Sequence, residues 1–479
     1  MTPNVPGWRL RAAFARRIAQ AYGREVPAYT TLVEVTEQVN ADVAAAGTGS
    51  AQRLGSIERV TAERHGAIRV GTPTELRQVS RIFRALGMHP VGFYDLRDAS
   101  SSAVPVVSTA FRPLDPVELE RNPFRMFTSL LTCDDRRFFS ADLQSRLETF
   151  LGRRTLFEPE LLALAERATA GGGLSRGDAE RFLSLAVAAF ALSDEPVDRG
   201  WYDELAVVSA VAADIGGVSS THINHLTPRV LDIDAAYRRM AGRGVEMIDA
   251  IQGPPRWDGP DVLLRQTSFR ALAEPRQFRE HDGSVLAGSL RVRFGEVEAR
   301  GIALAPAGRD RYDTMLAAVD TRLSDLPAAD SAAARQEVAA AVWQEQLPNT
   351  ELGLLRDELA FFTFAPGRPV PAAASPDDPA DARERRGPAT PDHRRLTALV
   401  QAGALVATPL VYEDFLPRSA AGIFQSNLTD HGTKHAASSG PNRDAGWLSD
   451  VMSTPVADPS VLYAAQQQAS LRRALGEAT

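Results

Sequence analysis

One supersecondary pattern is written twice in this chain. "RHGAIRVGTPTELRQVSRIFRALGMHPVGFYDL" (64–96) and "NHLTPRVLDIDAAYRRMAGRGVEMIDAIQGP" (224–254) run through the same order of strand, turn, amphipathic helix, glycine and strand. His65 aligns with His225, Arg69 with Arg229 and Val70 with Val230, while Thr72 aligns with Asp232 as the residue placed to cap the helix N-terminus. Leu76, Val79, Ile82, Phe83 and Leu86 recur at helical spacing in the first copy. Residues two apart on a strand share a face, so His65, Ala67 and Arg69 project together, as do His225, Thr227 and Arg229. Each copy therefore offers one imidazole and one guanidinium to one side. If the two strands lie side by side in one curved sheet, the histidines converge.

Around the repeat the pattern is α+β. Helical stretches run to about residue 46, residues 140–192 are helical by period and broken only at Gly171–Gly173, and 287–316 read as a strand, a Pro/Gly turn and a helix. The expected organisation is a helical segment 1–63, a first module 64–139, a helical insertion 140–220, a second module 221–330, and a region 331–479 that completes a barrel and its pocket. Residues 368–392, rich in Pro, Ala and charge, read as a mobile loop, and "LVATPLVYEDFLP" after it as an apolar strand. With 44% hydrophobic and 24% charged residues, the 479-residue chain has the balance of an ordinary globular protein. Its net charge of −7 argues against a nucleic-acid partner. The single cysteine, Cys133, excludes a disulfide framework and any multi-thiolate zinc site, and fits a reducing cytoplasm. No secretory signal and no apolar run long enough for a membrane span is read.

Two histidines and one carboxylate on one face of a barrel are the donor set of non-haem Fe(II) enzymes that activate dioxygen. The carboxylate candidate is Glu296 in "RFGEVEARG", where Val292, Phe294, Glu296 and Glu298 share a strand face. A carboxylate buried there is costly without a cation. A lone strand histidine is more often a hydrogen-bonded core residue, but duplication of the position tips the reading toward a ligand. Arg229 should pair with Asp232 or Asp234, whereas Arg69 has no acid within its own strand, which favours an acidic ligand. His222 falls on the opposite strand face from His225 and reads as structural, and His89 reads as a cap at a helix-to-strand turn. His281, His393, His431 and His435 sit in polar, loop-like contexts, "DHGTKH" being a weak site candidate. There is no P-loop, GxGxxG or GxSxG.

With these residues in place, the chain resembles the 2-oxoadipate dioxygenase/decarboxylase (hydroxyglutarate synthase) family. The motifs that carry the resemblance are "HGAIR" (65–69), "THINHLTPRV" (221–230), "RQTSFRAL" (265–272), "VRFGEVEARGIAL" (292–304) and "VYEDFLPRSAAGIFQSNL" (411–428). The resemblance implies paired βαβββ modules of the vicinal oxygen chelate type. It also implies metal ligands at His65, His225 and a glutamate of "FGEVEARG", with Glu296 chosen and Glu298 the alternative, and a substrate-binding arginine at Arg69. "LPRSAAGIF" should line the substrate chain with Ser419 as a hydrogen-bond donor, although Arg418 stands where an aliphatic residue is expected. The implied activity is Fe(II)-dependent conversion of 2-oxoadipate and O2 to 2-hydroxyglutarate and CO2, in lysine breakdown. The alternatives are a glyoxalase-type metal-dependent lyase or isomerase, and a metal-free module that binds small acids.

Overall fold

The structure, a computed structural model, describes residues 4–47, 59–60, 63–98, 104–324, 332–368, 393–416 and 440–476. The fold is α+β. β1 (Arg64–Val70), β2 (His89–Asp95), β3 (Val106–Arg112) and β4 (Arg125–Leu131) lie in the order β2-β3-β4-β1, and a helix over Pro73–Ala85 links β1 to β2. The second copy builds the same unit. After a short β5 (Val197–Asp198) come β6 (His225–Pro228), a helix over Ile233–Gly242, and β7 (Leu264–Ser268). A hairpin of β8 (Glu274–Arg279) and β9 (Val285–Leu290) is inserted before β10 (Glu296–Arg300). Met247 and Gln252 bridge to Phe269 and Gln266, β7 pairs antiparallel with β10, and Glu298 bridges in parallel to Arg229. In both copies the first strand thus runs parallel to the last, as β1 does to β4. Antiparallel pairing of β1 with β6, His65 opposite Thr227 and Ala67 opposite His225, makes β6 the fifth strand of the first unit's sheet, and the β7-β10 pair meets it through the Arg229–Glu298 bridge.

Local chemistry explains why both copies fold alike. Thr72 Oγ1 accepts from the Glu75 amide (3.2 Å) while Glu75 Oε2 accepts from the Thr72 amide (3.1 Å), a capping box with Pro73 at the first helical position. Asp232 Oδ1 does the same work for Ala235 (2.9 Å). Gly87 and Gly244 then turn the chain at φ +69° and +78°, a region that glycine enters without a Cβ clash. The chain turns at Gly87 through main-chain bonds, and His89 opens β2 opposite Arg112. Thr72→Ala should cost about 1 kcal/mol of stability, read as a lower urea midpoint with an unchanged slope.

Strand alternation sorts the interior. Ile68, Val70, Met126 and Leu130 face outward onto Leu76, Val79, Ile82 and Phe83 of the covering helix, each such side chain contributing roughly 1.5–3 kcal/mol on burial. His65, Arg69, Arg125 and Ser129 take the alternate positions, so the concave side is polar and yet buried.

Other expectations change as well. The helical period of 140–192 breaks at residues 154–158 as well as at the glycines. There Arg154 leaves the helix to pair with Glu75 (2.6 Å) and to donate to the carbonyls of Ile215 and Val218, and Pro159 starts the next helix. The strand expected across 287–300 is two, because Val285–Leu290 belongs to the β5-β8-β9 sheet and Arg293 is held by Glu274 (2.9 Å) and Glu25 between them. In "THINHLTPRV" only His225–Pro228 is strand.

Toward the C-terminus, β11 (Phe362–Pro366) and β12 (Leu405–Pro409) form a hairpin, and the chain then crosses the sheet by main-chain bonds from Ala303 to Leu410 and from Tyr412 to Gly301. The strand expected over 405–417 therefore ends at Pro409, and after the main-chain bonds at Leu410 and Tyr412 the segment Glu413–Leu416 is held by side chains. Arg59 and Arg125 bind Glu413, while Arg112 Nε and Nη2 grip Asp414 (2.8 and 3.1 Å) with Tyr463 OH adding a third bond (2.5 Å). Residues 369–392, most of the expected loop, lie outside the described residues, as do Arg418, Ser419, His431 and His435. Among the described residues no helix is long and apolar enough to cross a membrane.

Candidate metal centre

β1, β6 and β10 bring His65, His225 and Glu296 together. One ligand atom from each lies within 4.8 Å of the others, and the three residues are 1%, 4% and 2% exposed, which rules out a solvated strand glutamate. Glu296 Oε2 is 3.6 Å from His65 Nε2 and its Oε1 is 3.3 Å from His225 Nδ1; the two imidazole planes stand at 88°. Gln266 Nε2 donates to Glu296 Oε2 (3.2 Å) and fixes the carboxylate from β7. Phe415 stacks edge-on against His65 at 5.0 Å and Phe294 lies 5.2 Å from His225, so apolar rings wall the cluster.

Glu298 takes a different place. Its Oε2 sits 2.9 Å from His65 Nδ1, the nitrogen away from the Glu296 contact, and Arg300 grips it with two bonds of 2.8 and 2.9 Å. A carboxylate on the far nitrogen of an imidazole sets its tautomer and aims the near nitrogen. Burial alone would raise the Glu298 pKa, but Arg300 and His65 outweigh it and hold the group at about 2. Burial works against a charged His65 as well; Glu298 and Glu296 outweigh it and raise that pKa. Burial pushes Glu296 up, and burial with His65 and Arg69 pushes His225 well down, so His225 is a neutral donor. Its buried Nδ1 makes no hydrogen bond among the described residues. Two imidazoles and a carboxylate at this spacing fit a divalent transition metal. Glu298→Gln should weaken Zn(II) or Co(II) binding about 10- to 100-fold in equilibrium dialysis; unchanged affinity would make the contact incidental.

The arginines find partners that the sequence hid. Arg229 pairs not with Asp232 or Asp234 but with buried Glu63 (2.8 Å): Asp232 is occupied as a helix cap and Asp234 by Arg265 (2.8 Å). Glu63 also receives Arg125 (2.6 Å) and lies 3.5 Å from Arg300, which ties both modules' inner faces into one charge cluster. Arg69 faces a protein acid after all, Asp214 of the helix Ala210–Gly216, 145 residues away. His222 is buried beside the same Asp214, 3.4 Å from Oδ1, and burial lowers its pKa to about 4. His281 lies in the β8–β9 turn and His393 opens a helix; neither joins the cluster.

Residues 14–427 match the sequence profile of the 2-oxoadipate dioxygenase/decarboxylase family. The chain belongs to that family. A 2-oxoadipate dioxygenase/decarboxylase of Mycobacterium tuberculosis is 52% identical over 468 residues, covering 97% of this chain and 98% of the relative. Another, from Pseudomonas putida, is 39% identical over 468 residues, with 97% and 95% covered. Among solved structures, the hydroxyglutarate synthase from Pseudomonas putida in complex with 2-oxoadipate aligns over 99% of both chains with a TM-score of 0.81 and 36% identity. For a member of the 2-oxoadipate dioxygenase/decarboxylase family, the partners missed in the sequence are Gln266, Glu63 and Asp214, while Glu298, weighed there as the alternative ligand, stands behind His65. None of the three missed partners left a signal in the sequence.

Proposed function

We propose that this chain is an Fe(II)-dependent dioxygenase that converts 2-oxoadipate and O2 into 2-hydroxyglutarate and CO2. The observation that supports this best is the buried His65, His225 and Glu296 cluster, set in a chain that aligns end to end with a relative solved with 2-oxoadipate bound. The reaction balances without a reductant or a second oxo acid, because both atoms of O2 are retained in the products. Iron held by these three ligands would supply Lewis acidity toward the oxo acid and the redox capacity to bring O2 to it.

The chain's own residues do the rest in this reading. The two modules 64–139 and 221–330 supply the ligands, and the region 331–479 closes the pocket. His65, His225 and Glu296 would hold the metal, whose remaining positions would be open to substrate and O2. Glu298, fixed by Arg300, keeps His65 Nε2 toward the metal. Arg69, inward on the same strand as His65, binds a substrate carboxylate and sets its position before reaction. Ser419 donates to the substrate chain. Phe415 and Phe294 keep bulk water from the ligands.

An oxygen-electrode assay of protein purified anaerobically and loaded with Fe(II), run across 2-oxo diacids of different length, tests the proposal. O2 uptake matched one-to-one by CO2 release, fastest with 2-oxoadipate, is the expected result. Turnover under nitrogen without CO2 would instead place the chain with the glyoxalase-type isomerases. Failure to retain any divalent metal would leave a binding protein.

A further inference from the structure

We infer that Asp214 is a positioning residue for Arg69, fixing the guanidinium that receives a carboxylate of the substrate. The inference rests on the function proposed above and assigns a role to a residue of the helical insertion, outside both modules. Asp214 is 4% exposed, and its Oδ2 accepts from Arg69 Nη1 and from Asn224 Nδ2 (3.0 Å). Asn224 is itself immobilised: its amide donates to the Ala67 carbonyl (2.9 Å), and its carbonyl accepts from Tyr22 OH (3.0 Å) and the Phe294 amide (3.2 Å). Thr221 Oγ1 donates to the Arg69 carbonyl (2.7 Å), so the segment leading into His225 holds the arginine's backbone while Asp214 holds its side chain.

A guanidinium is a rigid planar fork, so anchoring one terminal nitrogen in a charge-assisted bond restricts the plane in which the others lie. Asp214 and His222 also line a cavity of about 510 Å³ that includes Ser219, Ser220 and Arg276. An acid at that wall disfavours an anion in the cavity. A role limited to neutralising a buried charge would need no such geometry, which gives the two readings different outcomes.

The test compares wild type with Asp214→Asn, Asp214→Glu, Arg69→Ala and the Asp214→Asn/Arg69→Ala double variant. Affinity for 2-oxoadipate is measured by calorimetry on Zn(II)-loaded protein under nitrogen, and KM and kcat are measured on Fe(II)-loaded protein in air. Asp214→Asn should weaken 2-oxoadipate binding about tenfold, the scale of one charge-assisted hydrogen bond, and raise KM far more than it lowers kcat. Zn(II) affinity should stay near wild type, and Asp214→Asn should add nothing once Arg69 is alanine. Asp214→Glu keeps the charge, and so the fold, but displaces the anchor; it should still raise KM about threefold. Wild-type substrate affinity in either Asp214 variant, or equal losses with and without Arg69, would overturn the inference. Wild-type protein that neither binds nor oxidises 2-oxoadipate would overturn the function instead.

Discussion

Glu296→Ala should leave a folded protein that no longer retains iron and oxidises 2-oxoadipate about a thousandfold more slowly, or not at all. Of the three converging side chains Glu296 is the only carboxylate, and it lies 3.6 and 3.3 Å from the two imidazoles. A metal centre contributes several kcal/mol to stabilising developing charge, and about 4 kcal/mol corresponds to a factor of roughly a thousand in rate. Stability should hold or rise slightly, because burial raises the carboxyl's pKa and a cluster without metal gains little from it. Metal content by elemental analysis and O2 uptake check both halves. If Glu296→Ala kept its iron while Glu298→Ala lost it, the roles of the two acids would be exchanged.

Asp414→Ala acts on the fold first. It leaves Arg112, 2% exposed and gripped by two bonds, without its counter-ion, and it strips the Tyr463 hydroxyl of its acceptor. Removing one partner of a buried pair costs about 3–5 kcal/mol, roughly a fifth or more of a typical domain's stability. The loss should appear as a lower urea midpoint, and Phe415, the next residue, should loosen from His65, raising the rate of iron loss. The pair also makes a pH prediction. Burial opposes the Asp414 carboxylate, but Arg112 and Tyr463 outweigh it and hold its pKa below the ordinary range. On acidification the unfolded chain therefore takes the proton first, so this contribution is complete above the ordinary value of about 3.9 and drains away as pH falls below it. Asp414→Asn should flatten the acid limb of the stability profile below about pH 4. A parallel limb in that variant would show that the pair does not set acid sensitivity.

What could be read from the sequence was what lies close together along it or recurs. The paired modules, the caps at Thr72 and Asp232 and the inward faces of β1 and β6 follow from patterns a few residues long, written twice. Convergence of His65 with His225 followed once the copies were placed side by side. Long-range ion pairs leave no such trace. Arg229 has two acids within five residues, yet takes Glu63 from the lead-in to β1, and Arg69 takes an acid from a helix 145 residues later. The strand pattern likewise could not separate Glu296 from Glu298: both point inward, and only the placement of His65 makes one face its Nε2 and the other its Nδ1.

The antiparallel seam between β1 and β6 carries one more implication. Half of the imidazole pair sits on each copy and the carboxylate on the second alone, so a fragment comprising a single copy holds an incomplete chelate. In the present chain the seam joins segments separated by about 160 residues, a closure whose entropy cost falls late in assembly. Ion capture is then a stopwatch for folding: a Co(II) absorption band should develop with the final kinetic phase and not with the earlier burst of helix.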